Sequence, residues 1–158
     1  MPIEVHEQGT VAAAPDALWP LVSDPARLPE WFTFAERVEV LEGEGVGQRR
    51  RQHGHWGSKP SEIDQRITAW DPPRRLAWCH EAERLAGKPA PRFAASTDFE
   101  IVLEPAGDRA TNVSLRSVQE PASALRGAVI RMFGRRDVAQ HLRRSLAKLG
   151  ELAQPRAS

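Results

Sequence analysis

The sequence predicts an α+β fold: a curved antiparallel sheet of about seven strands wrapped around a long C-terminal helix, with two short helices after the first strand. Three observations predict it. Apolar and polar residues alternate in a series of short segments between Ile3 and Leu115, the pattern of half-buried strands. Tight turns separate most of these segments, which favours antiparallel neighbours. After Pro121 the apolar period lengthens to that of a helix, and the one large apolar surface left to bury its stripe is the sheet.

Each element follows in order. Ile3, Val5 and Val11 share one parity of a first strand. Pro15 opens a short helix through Val22, where the missing N–H of proline goes unnoticed. Asp24-Pro25 opens a second toward Trp31, and Pro20 and Pro29 keep both short. Phe34 to Leu41 alternates, with Phe34, Val38 and Val40 on one face. Gly43, Gly45 and Gly47 mark a turn. Val46 to Trp56 reads as a polar strand, and Ile63 to Ala69 as another. Pro72-Pro73 forces a turn because proline cannot donate to a ladder. Leu76 to Ala82 continues the sheet, and Gly87 to Pro91 is a loop. Phe93 to Leu103 puts Phe93, Ala95, Thr97, Phe99, Ile101 and Leu103 on one side. Thr111, Val113 and Leu115 form the last strand. The helix spans about 121–153, followed by a short tail at 154–158. Its expected stripe is Leu125, Ala128, Val129, Met132, Val138, Leu142, Leu146, Leu149 and Ala153. Gly134 costs about 1 kcal/mol inside a helix and marks a candidate kink. Arg135 is awkward there: either the helix kinks or this arginine guards a cavity.

Composition bounds the function. The 158 residues suit a single domain over 1–158. Net charge is +1, which does not suggest nucleic acid as a partner. That total hides a split: residues 1–120 hold 14 basic and 19 acidic groups, and residues 121–158 hold 8 basic and 2 acidic groups. A basic helix over an acidic sheet exterior is the architectural explanation. Docking of Arg126, Arg131, Arg135, Arg136, Arg143, Arg144 and Lys148 on an acidic partner, an anionic membrane or RNA is the functional one. The single cysteine, Cys79, excludes an internal disulfide. No apolar run reaches the roughly 18 residues of a membrane span. The N-terminus lacks the pattern of a signal peptide, so a cytoplasmic setting is expected.

The element order, with particular passages, resembles the SRPBCC superfamily (START-like, helix-grip), and within it the polyketide cyclase/dehydrase-like group. The passages are Val11-Ala12-Ala13-Ala14-Pro15-Asp16-Ala17-Leu18-Trp19-Pro20-Leu21-Val22-Ser23-Asp24 with Leu28-Pro29-Glu30-Trp31; Val38-Glu39-Val40-Leu41-Glu42-Gly43 leading to Gly45-Val46-Gly47; Ile67-Thr68-Ala69-Trp70-Asp71-Pro72-Pro73-Arg74-Arg75-Leu76-Ala77-Trp78; and Phe99-Glu100-Ile101-Val102-Leu103-Glu104-Pro105 with Thr111. The resemblance implies an internal cavity between sheet and helix that binds apolar or amphipathic molecules. Such folds serve as carriers, receptors, cyclases and ATPase activators, so fold does not choose among them.

Parity nominates the lining. Val46 and Trp56 share a face with Gln48, Arg50, Gln52 and Gly54, which points Arg50 and Gln52 inward; a single bulge would reverse this. Leu76 and Trp78 bring His80 inward. Phe99, Thr97, Leu115 and Ser117 line neighbouring strands, Met132 and Phe133 come from the helix, and Trp31 and Phe34 sit near the mouth. Trp56 is a further cavity candidate, while Trp19 and Trp70 are structural. Arg50 suits a carboxylate or carbonyl and His80 a base. The bland alternative sends Arg50 to solvent or to Glu36, and leaves His80 at a wet strand end. His53 and His55 share a strand face but lack a third ligand, Cys79 and His80 point to opposite faces, and the glycines lack dinucleotide-loop spacing. No metal and no cofactor are therefore expected. Three functions are open: binding of a lipid, polyketide or aromatic compound; cyclase/dehydrase chemistry by Arg50 and His80; or docking through the basic helix. A monomer or homodimer is expected.

Overall fold

The computed structural model describes residues 2–91 and 94–154 of the chain. Phe93, and the tail beyond 154, lie outside the described residues. The strands are β1 (Ile3–Val11), β2 (Arg37–Glu42), β3 (Arg49–Trp56), β4 (Lys59–Asp71), β5 (Arg75–Leu85), β6 (Lys88–Pro89), β7 (Ala94–Pro105) and β8 (Thr111–Pro121). They form one antiparallel sheet in the order β1-β8-β7-β5-β4-β3-β2, with the two-residue β6 paired to β5. The path does not close on itself. The predicted fold class is the observed one.

Local chemistry explains the elements. Helix α1 (Pro15–Ser23) begins on Pro15. The second short helix is a single 3-10 turn, Leu28–Glu30, entered where the Asp24 carboxylate accepts the Ala26 amide proton at 2.9 Å. Between β2 and β3, Gly43, Gly45 and Gly47 all adopt positive φ, a conformation costly for residues with a Cβ. Trp19 and Trp70, both half-buried against the core, meet edge to face at 5.5 Å.

The C-terminal helix is continuous but not uniform. Helix α2 (Ala124–Val129) is capped by the Ser123 hydroxyl, which accepts the Arg126 amide proton. A π-helical turn, Ile130–Gly134, then leads into α3 (Arg135–Ala153). A π turn carries an extra residue per turn and so rotates the apolar stripe. Ile130 is buried where Met132 was expected, and Leu125, Met132 and Phe133 point to solvent. The same rotation leaves Arg135 exposed rather than guarding the interior. Beyond the turn, Leu142 and Leu149 bury in the core and Leu146 packs 3.9 Å from the position a Gly9 Cβ would take.

Register shifts occur at four places in the described sheet, and two of them bear on the site. In β5 the register shifts at Glu81, so Gln65 faces His80 and Asp64 faces Ala82. In β7 a shift at Ala95 exposes that residue, expected inside, and turns Ala94 toward the interior instead.

Candidate functional site

Three consecutive arginines on β3 define the site. Arg49 and Arg51 point outward and Arg50 inward, as alternation requires. Arg50 is completely buried. Its Nε, Nη1 and Nη2 have no hydrogen-bond partner among the described residues. Its guanidinium lies 5.3 Å from the centre of the Trp78 ring, within cation–π range. Removal from water pushes its pKa down to about 10, because burial disfavours the charged form. It remains a cation at neutral pH. Glu36, the carboxylate expected as an alternative partner, instead accepts from His55 at 2.7 Å.

The sheet and helix form two adjoining chambers; Arg50 lines neither, but its ring partner Trp78 and its cross-strand partner Gln65 both line the inner one. The inner one has a volume of about 160 Å³, between Phe32, Trp78 and Phe99 on one side and Gln52, Gln65, His80, Thr97 and Ser117 on the others. Trp78 and Phe99 stack at 4.7 Å, and Phe32 meets both rings nearly edge-on. The outer chamber has a volume of about 360 Å³ and opens among Trp56, His55, Glu36, Asp137 and His141. Phe34, Gln52, Ile63, Gln119 and Val138 border both. Arg50 pairs across the sheet with Gln65 and lies two residues from Gln52. The Gln65 amide donates to Gln52 Oε1 at 3.0 Å, while the buried Gln65 Oε1 has no partner. Buried polar atoms are normally satisfied, so two unsatisfied groups on one cross-strand pair are exceptional.

The rim is tied to the helix. The Thr33 amide donates to Ser145 Oγ at 3.0 Å, and Thr33 Oγ1 lies 2.7 Å from His141 Nδ1. Phe34 stacks on the His141 ring at 4.4 Å. Gly54 permits the close approach of this segment to β3: a Cβ there would stand 2.7 Å from the Phe34 carbonyl oxygen.

Residues 2–154 match the family described as polyketide cyclase / dehydrase and lipid transport. The chain belongs to that family. Solved structures with the same helix-grip architecture include an aromatase/cyclase, ZhuI, from Streptomyces sp. R1128, 23% identical with a TM-score of 0.70 over 96% of this chain and 93% of that one. The di-domain aromatase/cyclase BexL is 21% identical with a TM-score of 0.75, over 94% of this chain and 45% of that one. Ginseng major latex-like protein 151 from Panax ginseng is 13% identical with a TM-score of 0.77, over 98% and 99%. At these identities the likeness shows fold alone. No curated protein matches the sequence.

Among the residues predicted from parity for this polyketide cyclase/dehydrase family member, Phe34, Gln52, Trp56, Trp78, His80 and Phe99 border the chambers. His80 sits at the inner chamber with Nδ1 3.0 Å from Glu83 Oε1. Five lie off the chambers: Arg50 is inward and buried but lines neither, and four more are displaced. Trp31 is core rather than mouth: its indole N–H donates to the Leu21 carbonyl at 2.8 Å. Leu115 is buried in the core away from both chambers. Met132 and Phe133, turned outward by the π turn, are exposed. Sequence reasoning missed Phe32, Thr33, Gln65 and His141. Phe32 and Thr33 lie in an irregular loop with no periodicity to read. Gln65 was hidden among the polar residues of β4, and His141 stands one position from the predicted stripe at Leu142. His53 and His55 each face a carboxylate, Glu39 and Glu36. Among the described residues no group of three or more His, Cys, Asp or Glu is placed to hold a metal ion. Nor does any described helix have the length and apolarity to cross a membrane.

Proposed function

We propose that this protein binds an amphipathic small molecule, an aromatic or polyketide-like body ending in a carboxylate or conjugated carbonyl, in the paired chambers. The observation that carries the reading is Arg50, a buried guanidinium without a hydrogen-bond partner. An unpaired buried cation is costly, and an incoming oxygen anion relieves that cost through a charge-assisted, bidentate contact. The inner chamber matches the scale of a cavity of roughly 150 Å³ that accepts one benzene ring. Its walls are aromatic, and the outer chamber leaves room for the remainder of an extended ligand. Gln52 and Gln65 line the inner chamber beside Arg50, which does not, so in this reading their mutual hydrogen bond gives way as the ligand oxygen reaches the guanidinium.

Titration of the protein with 2-naphthoate and with 2-methylnaphthalene, followed by calorimetry or tryptophan fluorescence, tests this. Naphthoate binds at least tenfold more tightly if Arg50 receives its carboxylate. Equal affinities would remove Arg50 from the binding site.

A second reading rests on His80. Its ring borders the inner chamber and is oriented by Glu83, the arrangement of a base held by a carboxylate. With Arg50 polarising a carbonyl, His80 takes the proton from the carbon beside it, as an aldol cyclisation demands. His80→Gln then abolishes turnover of a poly-β-ketone while naphthoate binding persists; unchanged turnover removes His80 from the chemistry.

A further inference from the structure

The π turn that displaces Met132 and Phe133 from the interior builds a surface as it does so. Leu125, Met132 and Phe133 are 78%, 70% and 69% exposed. Their spacing, i, i+7 and i+8, sets them along one helical ridge. A monomeric soluble surface rarely leaves large apolar side chains grouped in this way. The segment from Ser123 to Arg136 contains four arginines, Arg126, Arg131, Arg135 and Arg136, and no Asp or Glu. All four arginines are exposed at the surface. The outer chamber opens one turn further along the helix, at Asp137 and Val138, with Trp56 of the β3–β4 hairpin on its rim and 59% exposed.

We infer that this helix face docks on an anionic lipid surface, with Leu125, Met132 and Phe133 inserting among the acyl chains and the arginines resting on the headgroups. An apolar ridge flanked by arginine is the composition of an interfacial helix, and the aromatic ring of Trp56 suits the headgroup level. Charge decides against a second copy of the chain: a two-fold contact through this face would bring four arginines against four. The same charge attracts an acidic bilayer. Docking there places the mouth of the cavity at the membrane, where amphipathic molecules are exchanged.

Co-sedimentation with vesicles tests the inference, using phosphatidylglycerol mixed with phosphatidylcholine against phosphatidylcholine alone. The protein partitions onto the anionic vesicles at low salt and is released as salt rises. The triple variant Leu125→Asp, Met132→Asp, Phe133→Asp changes only exposed positions, so its thermal melt stays that of the parent while vesicle binding falls at least tenfold. Arg131→Gln, Arg135→Gln and Arg136→Gln together lower binding about 100-fold. Arg50→Met binds vesicles unchanged, which separates this surface from the cavity. Absence of binding to anionic vesicles at low salt overturns the inference. So does equal binding to neutral vesicles, or an aspartate triple variant that binds as well as the parent. A dimer in light scattering that the aspartate variant dissolves would assign the ridge to a second copy instead.

Discussion

Arg49, Arg50 and Arg51 are neighbours in sequence and opposites in circumstance. Arg49 donates to Glu81 at 3.0 Å and to Glu42 at 3.4 Å. Arg51 grips Asp64 through two bonds, at 2.7 and 3.3 Å. Both arginine pKa values are raised, in each case chiefly by the hydrogen bond to the carboxylate. Between them Arg50 crosses to the other face of the sheet, loses water, gains no carboxylate, and has its pKa lowered. The outer face is a lattice of ion pairs: Arg84 joins Glu62 and Asp64, Arg75 meets Glu100, and Arg116 meets Glu4. The acidic sheet exterior expected from sequence is therefore balanced locally by arginines of the same sheet. The contrast shows what identical side chains do on two faces: outside they organise the surface, inside one is buried without a hydrogen-bond partner among the described residues, and the proposed ligand contact rests on that difference.

The largest test of this contrast strikes the inner floor. Trp78→Ala removes the ring beneath Arg50 and its stack on Phe99, and costs about 3–5 kcal/mol in denaturant unfolding. A cost under 1 kcal/mol would show that Arg50 does not depend on that ring. The next test concerns the most densely paired outer carboxylate. Asp64 is held well below the usual carboxylate range, first by its hydrogen bond to Arg51 and then by that to Arg84. Its stabilisation is fully present above the ordinary value of 3.8 and is lost as pH falls below it toward the lowered folded value. Asp64→Asn therefore loses about 2 kcal/mol at pH 7 and flattens the acid limb of the stability profile. An unchanged acid limb would break the outer half of the comparison. The smallest effect belongs to Arg49→Gln. Its partners are solvent-exposed, so the loss stays below about 1 kcal/mol in the same unfolding assay; a loss near that of Asp64→Asn would mean that the outer pairs act as one network.

The fold was legible because strands and turns announce themselves locally. The alternation of Ile3, Val5 and Val11, the glycines at 43, 45 and 47, and the proline pair at 72–73 all state their roles within a few residues. Parity also put Arg50 and Gln52 inside correctly. It failed where a single residue is inserted: at Ala95 in β7, and through the π turn at Ile130–Gly134. Such insertions carry no period of their own, and every position that relied on unbroken phase shifted with them. Trp31 was misplaced for another reason. Its depth depends on the indole bond to the Leu21 carbonyl, a contact across two short helices that no spacing rule reports. The pairing of β3 arginines with carboxylates on β2, β4 and β5 was likewise invisible until strand order was known.

Arg50→Met most directly tests the central claim that the interior holds an arginine for a ligand rather than for the fold. Methionine keeps the length and contact with Trp78 while removing the buried charge. Thermal and denaturant unfolding of the ligand-free protein should show the variant equal to or more stable than the parent, by up to about 4 kcal/mol, while its preference for naphthoate over methylnaphthalene disappears. A variant several kcal/mol less stable, with that preference intact, would make Arg50 a structural residue and contradict the account.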